Sequence, residues 1–432
     1  MPLRCLRWMW DIWCLLLPSI GFSYSDDQKQ EENSTTSSVH FPDDVLIDIL
    51  SRLPAESLLR CQKVSRHWRT LTSVTSASFV RLWLQRTSPV ICMSVNGYGW
   101  LREVGNSFFV YDHHSTSKAL KIKRLRLGKA SSALEKDVYL ASSCGGFLLF
   151  NGRKRCYFLN PLTGEHVGMY CPVPGFTCGF YYHSRISKFK VLYAQTFSDD
   201  CCVVRHYYTY TLGEDDWKRI VKEPPSWPYA PVLHKSTPAV CNGFLHWVAF
   251  QAPGWRDPAD CSRAILLFRM DSEEFFTLAH PGYKCPNIED HETMNLLVKD
   301  EQLALCNVNQ YLGVIDIWIL EDYTNCCWDL KWRLDLCLAE KPVFVEKRCY
   351  TSVKLVHIHN GELWLDCKER GIFVYDIERN MVTRLGGPPW SPISALSLSS
   401  YNAHECIPFA KSHLRLPKSM LSLKRSLRLP PF

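Results

Sequence analysis

The feature that most restricts the fold is a strand unit that recurs at long intervals. In each copy a glycine opens a short apolar strand, and a second strand follows and ends on a turn residue. The copies are Gly146-Phe147-Leu148-Leu149-Phe150 with Cys156-Tyr157-Phe158-Leu159-Asn160-Pro161, Gly243-Phe244-Leu245-His246-Trp247 with Ile265-Leu266-Leu267-Phe268-Arg269-Met270-Asp271, and Gly361-Glu362-Leu363-Trp364-Leu365 with Ile372-Phe373-Val374-Tyr375-Asp376. The first and third are nearly equal in length, and the middle one carries an insertion. Between them lie strands of another kind, each followed by a polar turn and a Trp-bearing return strand: Lys190–Ala194 with Tyr207–Leu212 before Trp217, and Val314–Leu320 before Trp328 and Trp332. Recurrence at tens of residues in an all-β region argues for radial repetition, the β-propeller solution to exposed sheet edges. At roughly 40–50 residues per blade, about 300 residues predict a propeller of about six blades. Two packed sheets are the other architecture this pattern allows.

Ahead of the strands the periodicity is helical. In Phe41-Pro42-Asp43-Asp44-Val45-Leu46-Ile47-Asp48-Ile49-Leu50-Ser51-Arg52-Leu53-Pro54 the apolar residues fall on one helical stripe. Asp43 or Asp44 is placed to cap the start, and Pro54 stops the helix. Ser57–Val64 suggests a second short helix, Ser65 could cap a third over Arg66–Leu71, and Phe79–Leu84 continues the helical character. So short a module cannot bury Val45, Leu46, Ile49, Leu50, Leu58, Leu59, Val64, Trp68 and Leu71 among themselves, which predicts that a partner covers part of them.

The run Phe41–Leu71 resembles the F-box. The matching elements are Pro42-Asp43-Asp44-Val45, Ile49-Leu50-Ser51-Arg52-Leu53-Pro54, Ser57-Leu58-Leu59-Arg60 and Val64-Ser65-Arg66-His67-Trp68-Arg69-Thr70-Leu71, with Phe41 where Leu is usual. Asn160-Pro161-Leu162-Thr163-Gly164 and the strand units around it resemble the F-box-associated domain, a kelch-like β-propeller, of large plant F-box families. The resemblance implies a non-catalytic substrate receptor of a Skp–cullin–F-box ubiquitin ligase, which recruits a protein substrate for ubiquitination and degradation. It also implies that Pro42, Val45, Leu46, Ile49, Leu50 and Leu59 line the interface with a Skp-type adaptor, itself bound to a cullin. Leu53, Leu58, Val64, Trp68 and Leu71 would then form the module's own core.

The remaining chemistry is negative or open. No Gly-x-Ser-x-Gly elbow, phosphate loop, dinucleotide fingerprint or His-Glu-x-x-His helix is present, so catalysis has no local signature. The net charge of +7 is concentrated in the last stretch, where Lys411, Arg415, Lys418, Lys424, Arg425 and Arg428 follow the last acid, Glu405. A near-neutral body argues against nucleic acid, and the tail reads as a solvated end. The 20 cysteines lack regular spacing and no C-x-x-C occurs, so they read as reduced thiols and no metal or other cofactor is expected. His113-His114 and His357-x-His359 read as surface or core histidines. The Trp- and Tyr-rich strands read as packing and not as a stacking platform. Two Pro-rich aromatic segments, Glu223–Tyr229 and Gln251–Pro258, are the candidate target-binding loops, with Trp227, Tyr229, Trp255 and Arg256 as contacts.

The expected organisation is a signal-like apolar extension (1–24), a polar disordered linker (25–40), the helical module (41–86), the β domain (90–400) and a basic tail (401–432). Arg4 and Arg7 before the apolar run Trp8–Ile20 resemble a secretory signal, but Asp11 interrupts the run and its length is short for a membrane span. The expected location is cytoplasm or nucleus, with no membrane contact. The competing reading is a secreted or membrane-tethered propeller, a lectin or hydrolase, in which the F-box-like segment is incidental.

Overall fold

A computed structural model describes residues 41–73, 76–86, 90–95, 107–112, 121–124, 139–152, 154–196, 204–214, 216–220, 229–231, 237–251, 261–282, 285, 291, 293–309, 314–335, 353–359, 361–367, 371–386, 404–409 and 414. Among the described residues, four short helices come first: α1 (Asp43–Ser51), α2 (Ala55–Cys61), α3 (Arg66–Leu71) and α4 (Ala77–Arg86). An all-β propeller domain follows.

Its strands are β1 (Val90–Val95), β2 (Ser107–Asp112), β3 (Lys121–Arg124), β4 (Tyr139–Cys144), β5 (Phe147–Asn151), β6 (Arg155–Leu159), β7 (His166–Tyr170), β8 (Gly175–His183), β9 (Lys188–Thr196), β10 (Val204–Thr211) and β11 (Trp217–Arg219). They continue as β12 (Tyr229–Pro231), β13 (Ala239–Cys241), β14 (Phe244–Gln251), β15 (Ile265–Arg269), β16 (Glu274–Leu278), β17 (Met294–Lys299), β18 (Gln302–Asn309), β19 (Val314–Asp322), β20 (Cys327–Asp335), β21 (Val353–His359), β22 (Glu362–Cys367), β23 (Gly371–Asp376), β24 (Met381–Gly386) and β25 (His404–Phe409).

Against an expectation of about six blades, the described strands form five four-stranded antiparallel sheets and one five-stranded sheet. In chain order these are β25-β1-β2-β3, β4 to β7, β8 to β11, β12 to β16, β17 to β20 and β21 to β24. The extra strand of the fourth sheet is an interruption. β12 pairs with Ala249–Gln251 and β13 with Phe244–His246, so the two share one edge of β14. Strands at the inner edges of successive sheets adjoin, β4 with β8, β13 with β17, β17 with β21, β21 with β25 and β25 with β4.

The core lies between neighbouring sheets and not within any one. Tyr181, Leu192 and Ala194 of the third sheet pack with Leu245, Trp247 and Phe268 of the fourth. Ile265 and Leu267 of the fourth meet Leu303 and Leu305 of the fifth, and Ile315 and Ile317 of the fifth meet Leu363 and Phe373 of the sixth. Strands covered on both faces read as unbroken apolar runs, as β5 does, whereas the fourth strand β20 alternates exposed and half-buried residues. Indole N–H groups stitch adjacent sheets: Trp217 donates to the Tyr170 carbonyl (3.1 Å), Trp247 to that of Cys178 (3.1 Å) and Trp328 to that of Ala279 (3.2 Å). These tryptophans serve inter-sheet packing.

The last strand was not expected. β25 lies past residue 400, in the segment read as a solvated tail, yet it runs antiparallel to β1 from Val90↔Phe409 to Val95↔His404. Pro408 fits because β25 is an end strand of its sheet. Leu414 is buried, and its carbonyl accepts a hydrogen bond from the Asn160 side-chain amide (2.6 Å). The same Asn160 accepts from the backbone N–H groups of Leu162 and Thr163, so Asn160-Pro161-Leu162-Thr163-Gly164 is a side-chain-stabilised turn that also holds the carboxy-terminal segment.

The three repeat glycines occupy one structural position. Gly146, Gly243 and Gly361 all have positive φ (80°, 80° and 75°) at the reversal into the second strand of their sheets. Asn242 (φ 50°) before Gly243 completes the left-handed pair that a two-residue hairpin turn requires. In the fifth sheet the equivalent reversal is Asp300-Glu301, with φ of 48° and 65° and no glycine. Since a Cβ at Gly243 or Gly361 would meet open space, only backbone strain decides substitutions there. Gly243→Ala and Gly361→Ala are each expected to lower stability by about 1 kcal/mol, and Glu301→Gly to raise it by about 0.5 kcal/mol, read as urea midpoints. Shifts of the same sign at all three positions would refute the shared turn geometry.

A second expectation concerns acid. His246 is fully buried in β14, donates from Nδ1 to the Ala239 carbonyl (3.0 Å), and accepts at Nε2 from the Tyr323 hydroxyl (3.2 Å) of the next sheet. Burial pulls its pKa down to about 4. The folded value lies below the ordinary 6.5, so the unfolded chain binds more protons between these limits. This contribution is therefore complete above pH 6.5 and lost as pH falls toward 4, on the order of 3 kcal/mol in all. Melting temperature is expected to fall more steeply from pH 7 to 5 in wild type than in His246→Gln.

Candidate functional site

The helical module is held together by short-range contacts. Asp43 and Asp44 stand in the first turn of α1, where they favour the positive helix end. His67 Nε2 contacts the Asp43 carboxylate at 2.8 Å, which brings the start of α3 to the start of α1. Ser65 caps α3 in extended conformation, its hydroxyl accepting from the Trp68 N–H at 3.0 Å. Arg69 donates to the Gln62 carbonyl (3.1 Å) and Gln62 to the Thr72 hydroxyl (3.2 Å), closing the loop between α2 and α3.

α4 clamps the end of α1. Arg86 donates to the Asp48 carbonyl (3.0 Å), the Asp48 carboxylate (2.6 Å) and the Ser51 hydroxyl, while Arg52 pairs with the same carboxylate from the exposed side (3.1 Å). Partial desolvation would raise the Asp48 pKa, but the Arg86 hydrogen bond and the two guanidinium charges outweigh it and hold the carboxyl below its ordinary value. Leu50, Leu58, Cys61, Leu71, Phe79, Val80 and Trp83 are the buried core. Much of it comes from α4, whose apolar face sequence spacing had extended without assigning it to the core.

Exposure divides the residues differently from the sequence reading in two places. Leu50, expected at the adaptor interface, is 1% exposed and belongs to the module's core. Val64, expected in that core, is 42% exposed just before the α3 cap. Of the other interface candidates, Pro42 and Val45 are exposed, and Leu46, Ile49 and Leu59 are half-buried. Leu58 and Leu71 are buried, and Leu53 and Trp68 half-buried. Among the described residues, three of the seven large exposed apolar side chains, Phe41, Val45 and Val64, belong to this short stretch of sequence. The rest, Ile186, Val240, Phe276 and Met381, are scattered.

The target-loop candidates fall mostly outside the described residues, as do 1–40 with the signal-like segment, and His113-His114. Trp227, Trp255 and Arg256 are among these. Tyr229 opens β12 and pairs with Gln251, the last residue of β14. One Pro-rich segment enters at Tyr229 and the other leaves at Gln251, so their anchor points face each other across a single strand pair. Among the described residues no helix is long and apolar enough to cross a membrane. Burial raises several thiols, Cys144 to about 12 and Cys61 and Cys241 to about 11, which makes them packing groups and not nucleophiles. His357 and His359 both lie on β21, and neither belongs to the group of donors that converges among the described residues, Cys261, His280, Cys285 and His291.

Comparison with known proteins agrees with this division into helices and propeller. Residues 39–80 match an F-box-like family, and residues 92–386 match the F-box associated beta propeller domain. The second match covers most of the chain, and the protein belongs to that F-box associated β-propeller family. F-box protein At3g07870 of Arabidopsis thaliana is 25% identical over 378 residues, covering 78% of this chain and 84% of the relative. F-box protein At1g67130 of the same plant is 26% identical over 379 residues, covering 78% and 71%. Among solved structures, the β-propeller domain of Myceliophteria thermophila Cps50 aligns with a TM-score of 0.37 at 12% identity, covering 66% of this chain and 81% of that one, a level at which the fold rests on the chain's own sheets.

The cap on α3 is the part of the module most open to a mild test. Ser65→Ala is expected to weaken α3 by about 1 kcal/mol, seen as roughly fivefold faster hydrogen exchange of its amides, with Ser65→Thr restoring most of the protection.

Proposed function

We propose that the protein is the substrate-recognition subunit of a Skp–cullin–F-box ubiquitin ligase, with the helical module binding a Skp-type adaptor and the propeller binding the protein to be ubiquitinated. The observation that carries this reading is that an F-box-like module whose own core is already filled by Leu50, Leu58, Leu71, Phe79 and Trp83 leaves Val45 and Val64 exposed and Leu46, Ile49 and Leu59 half-buried. An apolar stripe left outside a complete core favours burial against another chain. Pro42, Val45, Leu46, Ile49 and Leu59 make the adaptor interface in this reading, and Leu50 supports it from behind. The chain then supplies binding, and ubiquitin transfer proceeds on other subunits by proximity. Trp227, Tyr229, Trp255 and Arg256 form the target contact, since their two segments are anchored on paired residues of one sheet. Cytoplasm and nucleus are the compartments in which such a receptor meets its ligase.

The test is retention of a purified plant Skp-type adaptor by the full chain. Wild type is expected to bind, and Val45→Glu with Leu46→Ala to weaken binding at least about 30-fold, because each buried aliphatic side chain contributes about 1.5–3 kcal/mol. Both positions are at least partly exposed, so circular dichroism should be unchanged. Failure of the wild type to bind, or equal binding by the double variant, would sink the receptor reading.

A further inference from the structure

We propose that Cys261, His280, Cys285 and His291 form a structural zinc site that fastens the crossover between the fourth and fifth sheets. Their ligand atoms all lie within 4.8 Å of one another. The residues come from separate places: Cys261 from a single 3-10 turn leading into β15, His280 just after β16, Cys285 beyond it, and His291 shortly before β17. Cys261 Sγ is 3.6 Å from His291 Nε2, and Cys285 Sγ is 3.4 Å from His280 Nε2. With Zn–S near 2.3 Å and Zn–N near 2.0–2.1 Å, the S···N edge of a tetrahedron is about 3.5 Å. Both cross pairs are already at that edge. The two imidazoles stand nearly perpendicular, 78° apart with centroids at 4.9 Å.

The surroundings prepare the donors for a metal. His280 Nδ1 lies 2.7 Å from the Pro281 carbonyl, which can only accept, so Nδ1 carries the proton and Nε2 presents its lone pair toward Cys285. The Cys285 backbone N–H donates to Cys261 Sγ at 3.3 Å, which ties the two cysteines together. The His280 N–H donates to the Cys261 carbonyl (3.3 Å), and the Ala279 carbonyl beside it accepts from Trp328 and Cys326 of the next sheet's hairpin. Gly282 takes a left-handed φ of +98° after His280, and Cys285 lies beside that histidine. Both histidines are buried, at 7% and 3% exposure. Two thiolates and two imidazoles fill a tetrahedral shell and leave no open position, which assigns a structural role and selects zinc over hard cations. Binding would release the two thiol protons.

The competing account is two thiol–imidazole hydrogen bonds with no metal. Full-length chain purified in chelator-free buffer and loaded with zinc is expected to hold one zinc per chain by mass spectrometry, and its cobalt(II) form to show the visible absorption of a tetrahedral sulfur-ligated ion. Cys285→Ser and His291→Gln should each lower zinc retention at least about tenfold and lower the melting temperature. Cys241→Ser removes the thiol beside His246 at a different place and should keep full zinc content. Less than about a tenth of an equivalent in wild type with no cobalt spectrum would overturn the proposal, even if the variants failed to fold. Equal zinc loss in Cys241→Ser would overturn it too, by showing adventitious thiol binding. Adaptor retention should be the same in Cys285→Ser as in wild type, which separates this result from the docking reading.

Discussion

The pairing of β25 with β1 is the contact on which the β domain depends. A ring of sheets built in chain order has two loose ends, and each would otherwise expose a row of unpaired backbone groups. Here the last strand supplies a place in the first sheet, so residues some three hundred positions apart in sequence share one hydrogen-bond ladder. β25 also adjoins both β21 and β4, which makes it the joint between the two ends of the ring. Asn160 then secures the chain beyond β25 through the Leu414 carbonyl. These contacts are non-local, and their loop-closure cost is set against burial only once the intervening sheets exist.

Closure explains where the apolar residues went. Since each sheet packs against its neighbours, middle strands such as β5 and β15 are buried on both faces, whereas β20 alternates. Side chains that could have left a buried polar atom instead link sheets, as the Trp217, Trp247 and Trp328 indoles do. Lys190, almost fully buried, pairs with Glu273 at the β15–β16 turn, which also accepts from the Thr209 hydroxyl (3.3 Å), so this charge pair joins the third and fourth sheets. A rigid ring of this kind gives loops fixed anchor points, and the Tyr229–Gln251 pair is one of them.

Legibility in the sequence followed the locality of the cause. Helix positions were readable from spacing and capping residues, because α1 to α3 depend on contacts within a few residues. The repeat was readable where a positive-φ turn had selected glycine, at Gly146, Gly243 and Gly361, and it was missed at Asp300-Glu301, where the same turn is made without one. The burial of Leu50 and the exposure of Val64 were not legible, because a helical stripe shows which residues are apolar but not which part of it another helix covers. α4 packs against α1 and is held there through Arg86. β25 was hidden because its partner is at the other end of the domain and its neighbours are basic.

The cysteine and histidine cluster was illegible for a related reason. Its members are spread so that Cys261 is 24 positions from Cys285 and 30 from His291, while His280, Cys285 and His291 follow at gaps of five and six. A search for two nearby cysteines cannot find a site whose donors meet only after two sheets have formed. The cluster sits where the chain leaves one sheet and enters the next. A four-ligand metal clamp there would do for one inter-sheet junction what the β1–β25 ladder does for the ring, joining distant parts of the chain.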